Sequence, residues 1–434
     1  MTVPAGHQVP LHPLAGRWHR AGLAFMLGAG VIVGAVSLAI AGCQGPVRPA
    51  APGPSQAAAM LSISPADGSR GIKTSAAVTV TAVHARVTSI TVTSGGTPVE
   101  GVVSESGTVW NSRWALHTSS TYRVTAAGRS ASGKTISARS SFRTIAPSAT
   151  MKVRIFQGKQ QTYGVGMPII LTFSGPVTRK AAVEAALEVT TSKPVVGAWY
   201  WDGDQALYFR PRGYWPQHTQ VDVTGHFDGV QAARGVYGTA DLTQHFRIGA
   251  ALIVSVSTRT HDMKVWYRHH LIGTWPVSTG RPGYDTPNGT YLTIEKGNPT
   301  RMVGSDYDLL VPYAVRFTWS GMYIHAADWS VAQQGIVNVS HGCVNVSPAH
   351  AETYFRLARA GDPVTVTGSP AAGTWGDGWT VWFWTWRRLM RGSALDKAVV
   401  AGPDGSRFVS PVSPGPWSPS APLQGPEPGN YRPG

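Results

Sequence analysis

The stretch from Ile324 to Asn345, IHAADWSVAQQGIVNVSHGCVN, decides how the chain is interpreted. Cys343 stands beside His341 and Gly342, and His325 lies 18 residues before it. A histidine close to a thiol lowers the thiol pKa and raises the thiolate fraction. A glycine lets the backbone turn tightly, so that successive N–H groups point at a developing oxyanion. The stretch therefore favours a cysteine nucleophile with a histidine base.

Two other interpretations of these residues stay open. Cysteine is among the most buried residue types, so Cys343 could be an inert core thiol. Alternatively, His325, His341 and Cys343 could bind zinc, although no fourth ligand is obvious. The chain has one other cysteine, Cys43, which lies 300 residues away. We expect no disulfide between the two, because each has a separate explanation.

The N-terminus has the pattern of an export signal. Arg17 and Arg20 precede an apolar run from Ala21 to Ala41, and small residues follow before Cys43. The sequence Ile40-Ala41-Gly42-Cys43 resembles the lipobox of bacterial lipoproteins, which implies cleavage before Cys43 and lipidation of its sulfur. An uncleaved transmembrane anchor is the alternative, since about 20 apolar residues can span a bilayer. Both predict that the remaining chain lies outside the cytoplasm, anchored to the outer face of the plasma membrane and reaching into the cell wall.

Composition divides the rest of the chain into segments. Residues 1–42 are the signal peptide and the Pro-rich residues 43–59 are an extended linker. Residues 60–147 and 148–249 alternate apolar and polar residues between Gly and Ser clusters, which predicts two consecutive Ig-like β-sandwich domains. Residues 250–370 are again rich in predicted strands, with a helix after Ser347-Pro348. The predicted fold class is therefore mainly β.

The C-terminal part has two distinct compositions. Residues 371–400 hold five tryptophans, at 375, 379, 382, 384 and 386. They form either a platform that stacks on carbohydrate or bases, or a hydrophobic clamp on a neighbouring domain, and we favour the clamp because Trp usually buries most of its area. Residues 401–434 are rich in Pro, Gly and Ser, which predicts a disordered tail.

The formal net charge is +15 and it is unevenly distributed. Residues 60–147 contain nine Lys/Arg against three Asp/Glu, which is +6, whereas residues 251–370 contain nine against eight, which is +1. A basic surface favours anionic partners such as acidic lipid or anionic cell-wall polymers. The chain has no zinc-finger spacing, RNP motif or basic helix, so we do not expect nucleic acid. Nothing requires more than a monomer.

The pattern of a histidine, 14 intervening residues and Ser-His-Gly-Cys-Val-Asn resembles the signature of the L,D-transpeptidases, which have a YkuD-like catalytic domain. Val277-Ser278-Thr279-Gly280 and Thr286-Pro287-Asn288-Gly289 resemble upstream stretches of that domain, and the resemblance implies that residues 250–370 are the catalytic domain. The two sandwiches and the Trp-rich element resemble the immunoglobulin-fronted branch of the family. The resemblance extends from residue 60 to about residue 395.

The resemblance implies a role for each site residue, with no cofactor and no metal. Cys343 would be the nucleophile and His325 its general base, oriented by a backbone carbonyl near Ala326, so that Asp328 is not needed. The N–H groups of Gly342 and Cys343 would form the oxyanion hole. The other expected residues are pocket-shaping Ser340, His341 and Asn345, a lid tyrosine, Tyr307, and the substrate-groove residues Trp329 and Met302.

The implied reaction forms 3→3 peptidoglycan cross-links through a cysteinyl thioester on tetrapeptide stem peptides. Carbapenems should acylate the same site. Hydrolysis by L,D-carboxypeptidase activity, or attachment of wall proteins, would use the same acyl-enzyme. A catalytically silent scaffold that binds the cell wall is the alternative of a different class.

Overall fold

The computed structural model describes residues 58–304 and 306–410. The signal peptide, Cys43, most of the Pro-rich linker and residues 411–434 lie outside the described residues, so what the sequence predicts for them stays a prediction. In the described part of the chain, no helix combines the length and the apolar character needed to cross a membrane.

The first sandwich follows the alternation of its sequence. Its strands are β1 (Met60–Ser64), β2 (Thr79–Val83), β3 (Ala85–Ser94), β4 (Thr97–Pro98), β5 (Gly101–Val103), β6 (Val109–Ser112), β7 (Thr121–Ser130) and β8 (Thr135–Arg143). They form two four-stranded sheets, in the orders β1-β2-β6-β5 and β4-β3-β7-β8. The inner faces of the two sheets enclose a core that includes Val80, Trp110, Tyr122 and Phe142.

The second sandwich is larger. Its first elements are β9 (Ala149–Met151), β10 (Val153–Ile155), β11 (Thr162–Tyr163), β12 (Ile169–Phe173), α1 (Lys180–Ala185), β13 (Leu187–Thr191), β14 (Val195–Asp202), β15 (Ala206–Pro211), β16 (Gln220–Gly225), β17 (Gln231–Ala233), β18 (Val236–Gly238) and β19 (Leu242–Ile248). One sheet has the order β11-β19-β16-β13, and a short three-stranded sheet has the order β17-β18-β9. Trp199, Phe209, Trp215 and Phe246 fill its core.

The catalytic segment forms a third unit around its own core. Its elements are β20 (Leu252–Ser257), β21 (Asp262–Tyr267), β22 (His270–Pro276), β23 (Gly289–Leu292), β24 (Glu295–Gly297), β25 (Thr300–Val303), β26 (Asp308–Val311), β27 (Ala314–Arg316), β28 (Tyr323–Ala326), β29 (Val344–Val346), α2 (Pro348–Leu357) and β30 (Pro363–Thr367). The two larger sheets have the orders β22-β21-β20-β30-β23 and β24-β27-β28-β29, and β25 pairs with β26 as a hairpin. Helix α2 begins after Ser347, whose side chain accepts a hydrogen bond from the His350 N–H.

The chain then returns to the second sandwich. After α3 (Trp386–Met390), the strands β31 (Ala398–Gly402) and β32 (Gly405–Val409) extend its remaining sheet to the order β10-β12-β15-β14-β31-β32. Val195 of β14 pairs with Ala401 of β31. The prediction that the disordered tail begins at residue 401 is therefore wrong for residues 401–409. The Pro and Gly residues there belong to the turn of a hairpin, because Gly402 of β31 pairs with Gly405 of β32 around Pro403 and Asp404.

The Trp-rich segment packs on the second sandwich, in agreement with the clamp interpretation. Trp379 and Trp382 belong to the core of that sandwich, and the Trp382 indole N–H donates to the Gly166 carbonyl at 2.7 Å. The guanidinium of Arg210 lies over the Trp382 ring at 4.1 Å from its centroid. Phe383 of the same segment packs edge-to-face on Tyr291 of β23, with 5.0 Å between the ring centroids. The segment therefore joins the unit that contains β23 to the sandwich that precedes it.

Candidate active site

Two adjacent parallel strands bring the histidine and the cysteine together. His325 lies in β28 and is paired with Asn345 of β29, and Cys343 stands immediately before β29. Residues 327–342 connect the end of β28 to Cys343. Because β28 and β29 are neighbours in one sheet, the His325 and Cys343 side chains line the same cavity.

A backbone carbonyl orients the imidazole. His325 Nδ1 lies 2.8 Å from the Ala326 carbonyl oxygen. Because a carbonyl oxygen only accepts, Nδ1 carries a proton, and Nε2 of the neutral ring is left as the acceptor. Asp328 is exposed, and its carboxylate instead accepts a hydrogen bond from the Trp329 N–H at 3.0 Å. The orienting group expected from the resemblance is present, and it is not a carboxylate.

Both reacting groups are neutral at pH 7. Burial lowers the pKa of His325 to about 4, although the hydrogen bond to the Ala326 carbonyl opposes the shift. Burial raises the pKa of the Cys343 thiol to about 11, against a smaller opposite effect of the Tyr323 backbone hydrogen bond. The expectation that a neighbouring histidine lowers the pKa of the Cys343 thiol is therefore contradicted, because burial raises that pKa. Desolvation penalises both charges, so the proton stays on sulfur.

The turn that carries the thiol is held by Ser340. Its hydroxyl donates to the Cys343 carbonyl at 2.6 Å and accepts from the Gly342 N–H at 3.1 Å. Gly342 has a φ of +115°, a conformation that L side chains rarely adopt. The expected oxyanion hole needs a correction here, because the Gly342 N–H is already engaged by the Ser340 hydroxyl. The Ser340 hydroxyl therefore stabilises the turn through two backbone hydrogen bonds.

A buried threonine supports the same turn from the other side. Thr286 is 1% exposed, and its hydroxyl accepts from the Gly280 N–H at 2.9 Å and donates to the Gly342 carbonyl at 2.8 Å. At Gly280 an added Cβ would come within 1.9 Å of the Tyr284 carbonyl oxygen. The two upstream stretches quoted from the sequence thus build the scaffold under Cys343, a role that sequence reasoning did not assign.

Asn338 is a second supporting residue that the sequence did not single out. Its side-chain oxygen lies 3.0 Å from the Thr279 N and 2.8 Å from the Thr279 hydroxyl, and its amide group donates to the Thr258 carbonyl at 2.8 Å. The Thr279 carbonyl in turn accepts from the Ser340 N–H at 3.0 Å. Nothing local marks an asparagine for this role, because its partners are distant in sequence.

The cavity at the site has a volume of about 330 Å³. Thirteen residues line it: Met302, Tyr307, Leu309, Val311, His325, Trp329, Ser330, Gln333, Val339, Ser340, His341, Cys343 and Asn345. Every site residue expected from the sequence is among them, apart from Gly342 and the lipidation candidate Cys43. The Asn345 amide is buried and donates to the Ser330 hydroxyl at 3.0 Å, whereas Trp329 is 53% exposed at the rim.

The hairpin of β25 and β26 covers one side of the cavity. Its turn carries Asp306, whose Oδ2 lies 2.9 Å from His341 Nε2 and 3.6 Å from an Arg281 amino group. The hydrogen bond from His341 holds the pKa of Asp306 below its usual range. Tyr307 follows, with its ring centroid 5.0 Å from that of His341. Burial raises the pKa of Tyr307, and the charge of a Cys343 thiolate would raise it further. His341 therefore fastens the hairpin to the catalytic turn.

The zinc interpretation has no geometric support at these residues. His341 Nε2 is directed to Asp306, and His325 Nδ1 to the Ala326 carbonyl. Within residues 58–304 and 306–410, no group of three or more His, Cys, Asp or Glu side chains is placed to hold a metal ion.

Comparison with known proteins identifies two family profiles in the chain. A bacterial Ig domain profile matches residues 69–231, and an L,D-transpeptidase catalytic domain profile matches residues 251–366. The chain is 33% identical to L,D-transpeptidase 5 of Mycobacterium tuberculosis over 385 residues, covering 85% of this chain and 84% of that protein. It is 30% identical to L,D-transpeptidase 2 of the same species over 341 residues, covering 74% and 83%.

A solved structure described as the L,D-transpeptidase LdtMt1 in complex with imipenem is also similar. It is 35% identical in sequence and covers 51% of this chain and 100% of its own, with a TM-score of 0.43.

Proposed function

The chain belongs to the L,D-transpeptidase family, and we propose that it forms 3→3 cross-links between peptidoglycan stem peptides through a thioester on Cys343. The observation that carries the proposal is the shared cavity of Cys343 and His325, with His325 Nδ1 fixed on the Ala326 carbonyl at 2.8 Å. A nucleophile, an oriented base and a cleft for a peptide are the parts that acyl transfer to a cysteine needs.

Acylation begins from the neutral pair. The Cys343 sulfur attacks the carbonyl carbon at the L-centre of diaminopimelate in a tetrapeptide stem, and His325 Nε2 takes the thiol proton in the same step. Such concerted transfer avoids the cost of a standing thiolate in a desolvated site. The Cys343 N–H is the backbone donor that remains for the oxyanion once Ser340 has engaged the Gly342 N–H. The C–N bond to D-alanine breaks, and the leaving amine receives the proton from His325.

Deacylation reverses these proton movements. The amine of a second stem attacks the thioester carbonyl, and His325 takes a proton from the attacking nitrogen. The C–S bond breaks, and the proton returns to the Cys343 sulfur. Water in place of the amine would release a tripeptide stem, which is L,D-carboxypeptidase activity. The exposed rim residue Trp329 supports the amine as acceptor, because it offers an apolar surface for a second stem beside the thioester.

We also propose that the protein works outside the cytoplasm on a lipid anchor at Cys43. The sequence pattern Ile40-Ala41-Gly42-Cys43 supports this anchor, and the Pro-rich linker would hold the three folded units away from the membrane. Labelling with a radioactive fatty acid tests it: the wild-type chain should be labelled and Cys43→Ala should not.

Intact-mass spectrometry after exposure to a carbapenem tests the nucleophile. The strained β-lactam carbonyl should acylate Cys343, which adds one inhibitor mass to the wild-type chain and none to Cys343→Ala. His325→Ala should slow acylation by about 100-fold or more, the usual contribution of a general base. Full-rate acylation of His325→Ala would remove His325 from the mechanism, and an adduct on another peptide would remove Cys343.

Incubation with a purified disaccharide-tetrapeptide tests the reaction itself. Cross-linked dimers together with free D-alanine would support transfer. Tripeptide alone would identify hydrolysis, and no reaction in a carbapenem-reactive protein would point to an acceptor other than a second stem. A protein that forms no adduct and no product would be the silent scaffold.

A further inference from the structure

We infer that one face of the first sandwich is a binding surface for an anionic polysaccharide of the cell wall. The face is the outer side of the sheet β4-β3-β7-β8, opposite the side that packs on Tyr122, Val124 and Phe142. Alternate residues of a strand point to opposite faces, so the register of this sheet determines which side chains share the outer one.

Four arginines of β7 and β8 stand on this outer side, and Arg86 of β3 is paired with one of them, Arg129. Arg123 and Arg129 are on β7, and Arg139 and Arg143 are on β8; all four are exposed. We call them the arginine face. Arg123 is paired with Ser141, Arg139 with Thr125 and Arg143 with Thr121. Arg143, Arg123 and Arg139 are therefore successive diagonal neighbours, about 7 Å apart at the backbone.

The positive charge of the arginine face is not compensated locally. Strands β3, β7 and β8 contain no Asp or Glu, and none of the four arginines forms an ion pair among the described residues. This sandwich has three acidic residues. Asp67 accepts a hydrogen bond from the Ser141 N–H at the edge of the sheet, and Glu100 accepts one from the Trp114 indole N–H. Glu105 lies in the turn before β6. A cluster of guanidinium groups without partners attracts anions.

Hydroxyl groups fill the positions between the arginines. Cross-strand pairing puts eight of them on the same side: Ser89, Thr91, Thr93, Thr121, Thr125, Thr135, Ser137 and Ser141. Guanidinium groups bind carboxylate or phosphate with two parallel hydrogen bonds, and hydroxyls donate to or accept from sugar hydroxyls. Arg123 and Arg129 are six residues apart on one strand, which is about 20 Å. An extended polymer fits this spread, whereas a single small anion would contact only one end.

The surface continues into a cleft. A cavity of about 540 Å³ opens between the first and second sandwiches, and Arg123, Thr121, Ser120 and Thr97 form part of its wall. On the opposite wall, the Asp228 carboxylate is paired with His117 at 2.6 Å. This pairing reduces the electrostatic repulsion between Asp228 and a bound anion. The cleft gives a flexible polymer a concave, hydroxyl-lined seat at one end of the arginine face.

A bilayer surface fits less well than a polysaccharide. Binding at a membrane interface uses large apolar side chains that enter the headgroup region. On the outer side of β7 and β8 the one apolar residue is Ala127. The face is charged and rich in hydroxyls, which is suited to a hydrated polymer.

The test measures binding of sodium polygalacturonate, a carboxylate polysaccharide, to the full chain carrying Cys43→Ala, which prevents lipidation. The triple variant Arg123→Ser, Arg139→Ser, Arg143→Ser should bind about tenfold or more weakly, and binding of the parent should fall as salt is raised. The matched control is Arg154→Ser, Arg234→Ser, Arg247→Ser, which removes the same charge from exposed positions of the second sandwich. It should stay within about threefold of the parent.

Three results would overturn the inference: equal loss of binding in both triple variants, no binding of polygalacturonate above that of neutral dextran, or a preference for phosphatidylglycerol vesicles over the polymer. Single Arg→Ser variants are measured beside the triple, so that a folding defect in one protein does not decide the outcome. Carbapenem acylation should be unchanged in every variant, which separates this surface from the catalytic proposal.

Discussion

Replacement of Thr286 by valine tests whether a buried hydroxyl holds the catalytic turn. Valine has nearly the shape of threonine, so the change removes the hydroxyl and leaves the packing. The hydroxyl accepts from the Gly280 N–H and donates to the Gly342 carbonyl, at 2.9 and 2.8 Å. Both backbone groups belong to buried residues, and neither can reach water easily when its partner is lost.

The expected magnitude follows from the two lost hydrogen bonds. An unsatisfied buried donor or acceptor costs about 1–3 kcal/mol, so two of them should lower the free energy of unfolding of the catalytic unit by roughly 2–6 kcal/mol. The control, Thr286→Ser, keeps the hydroxyl and loses one methyl group, which costs about 1 kcal/mol. Because Gly342 precedes the nucleophile, the valine variant should also be acylated more slowly by a carbapenem than the serine variant.

The assays are denaturant unfolding, followed by tryptophan fluorescence, and the rate of adduct formation by mass spectrometry. The interpretation would be refuted by unfolding free energies of the valine and serine variants that agree within about 1 kcal/mol, together with equal acylation rates. Slower acylation at unchanged stability would instead mean that the hydroxyl positions the turn without stabilising the fold.

Three further changes test the neutral pair, the turn and the hairpin. With pKa values of about 11 for Cys343 and about 4 for His325, the acylation rate should be nearly constant from pH 6 to pH 8; a tenfold rise per pH unit, measured by stopped-flow, would indicate a thiolate mechanism. Gly342→Ala should slow acylation by about tenfold or more, because its Cβ would lie 3.3 Å from the Met322 methyl at a φ of +115°; wild-type rates in this variant would contradict the strained turn. Asp306→Asn should weaken saturable carbapenem binding several-fold while the melting temperature stays constant, because the carboxylate is exposed and bonds His341 at 2.9 Å; an unchanged rate constant and affinity would show that the hairpin is held by other contacts.

The position of the catalytic unit against the second sandwich depends on contacts between residues that lie far apart in the sequence. Gly164 and Gly166 donate from their N–H groups to the carbonyls of Ala360 and Gly361 at 2.8 and 2.9 Å. An added Cβ at Gly164 would meet the backbone of Asp362 at 2.2 Å. The second sandwich and the catalytic unit thus meet backbone against backbone, and the Trp-rich segment covers the same junction. This packing explains why a sandwich precedes the enzyme unit directly, with no flexible linker between them.

Much of the domain organisation is encoded locally. Strands with alternating apolar residues predict the sandwiches because one face of each strand is buried, and the structure has such strands in both segments. The helix after Ser347-Pro348 could be predicted for the same reason, since a cap and a first-turn proline act within one turn. The outward arginines at residues 123, 129, 139 and 143 also follow a period of two that is visible in the sequence.

The residues of the candidate site could be predicted from the sequence, whereas their charge states could not. His325, Cys343 and their neighbours could be named because the motif is short and specific. The charge state could not, because the pKa of a group depends on desolvation by residues from many segments. A histidine near a cysteine suggests a lowered thiol pKa, whereas burial lowers the pKa of His325 and raises that of Cys343.

The amino-acid sequence by itself determined which residues form the candidate catalytic pair and which segments form strands, because motif identity and side-chain alternation are local properties. Only the tertiary structure decided that residues 398–409 complete a sheet in which Ala401 pairs with the distant Val195, and that Thr286 and Asn338 support the turn that carries Cys343. Those contacts join positions far apart along the chain, and their free energy depends on burial and geometry that exist only when the chain is folded.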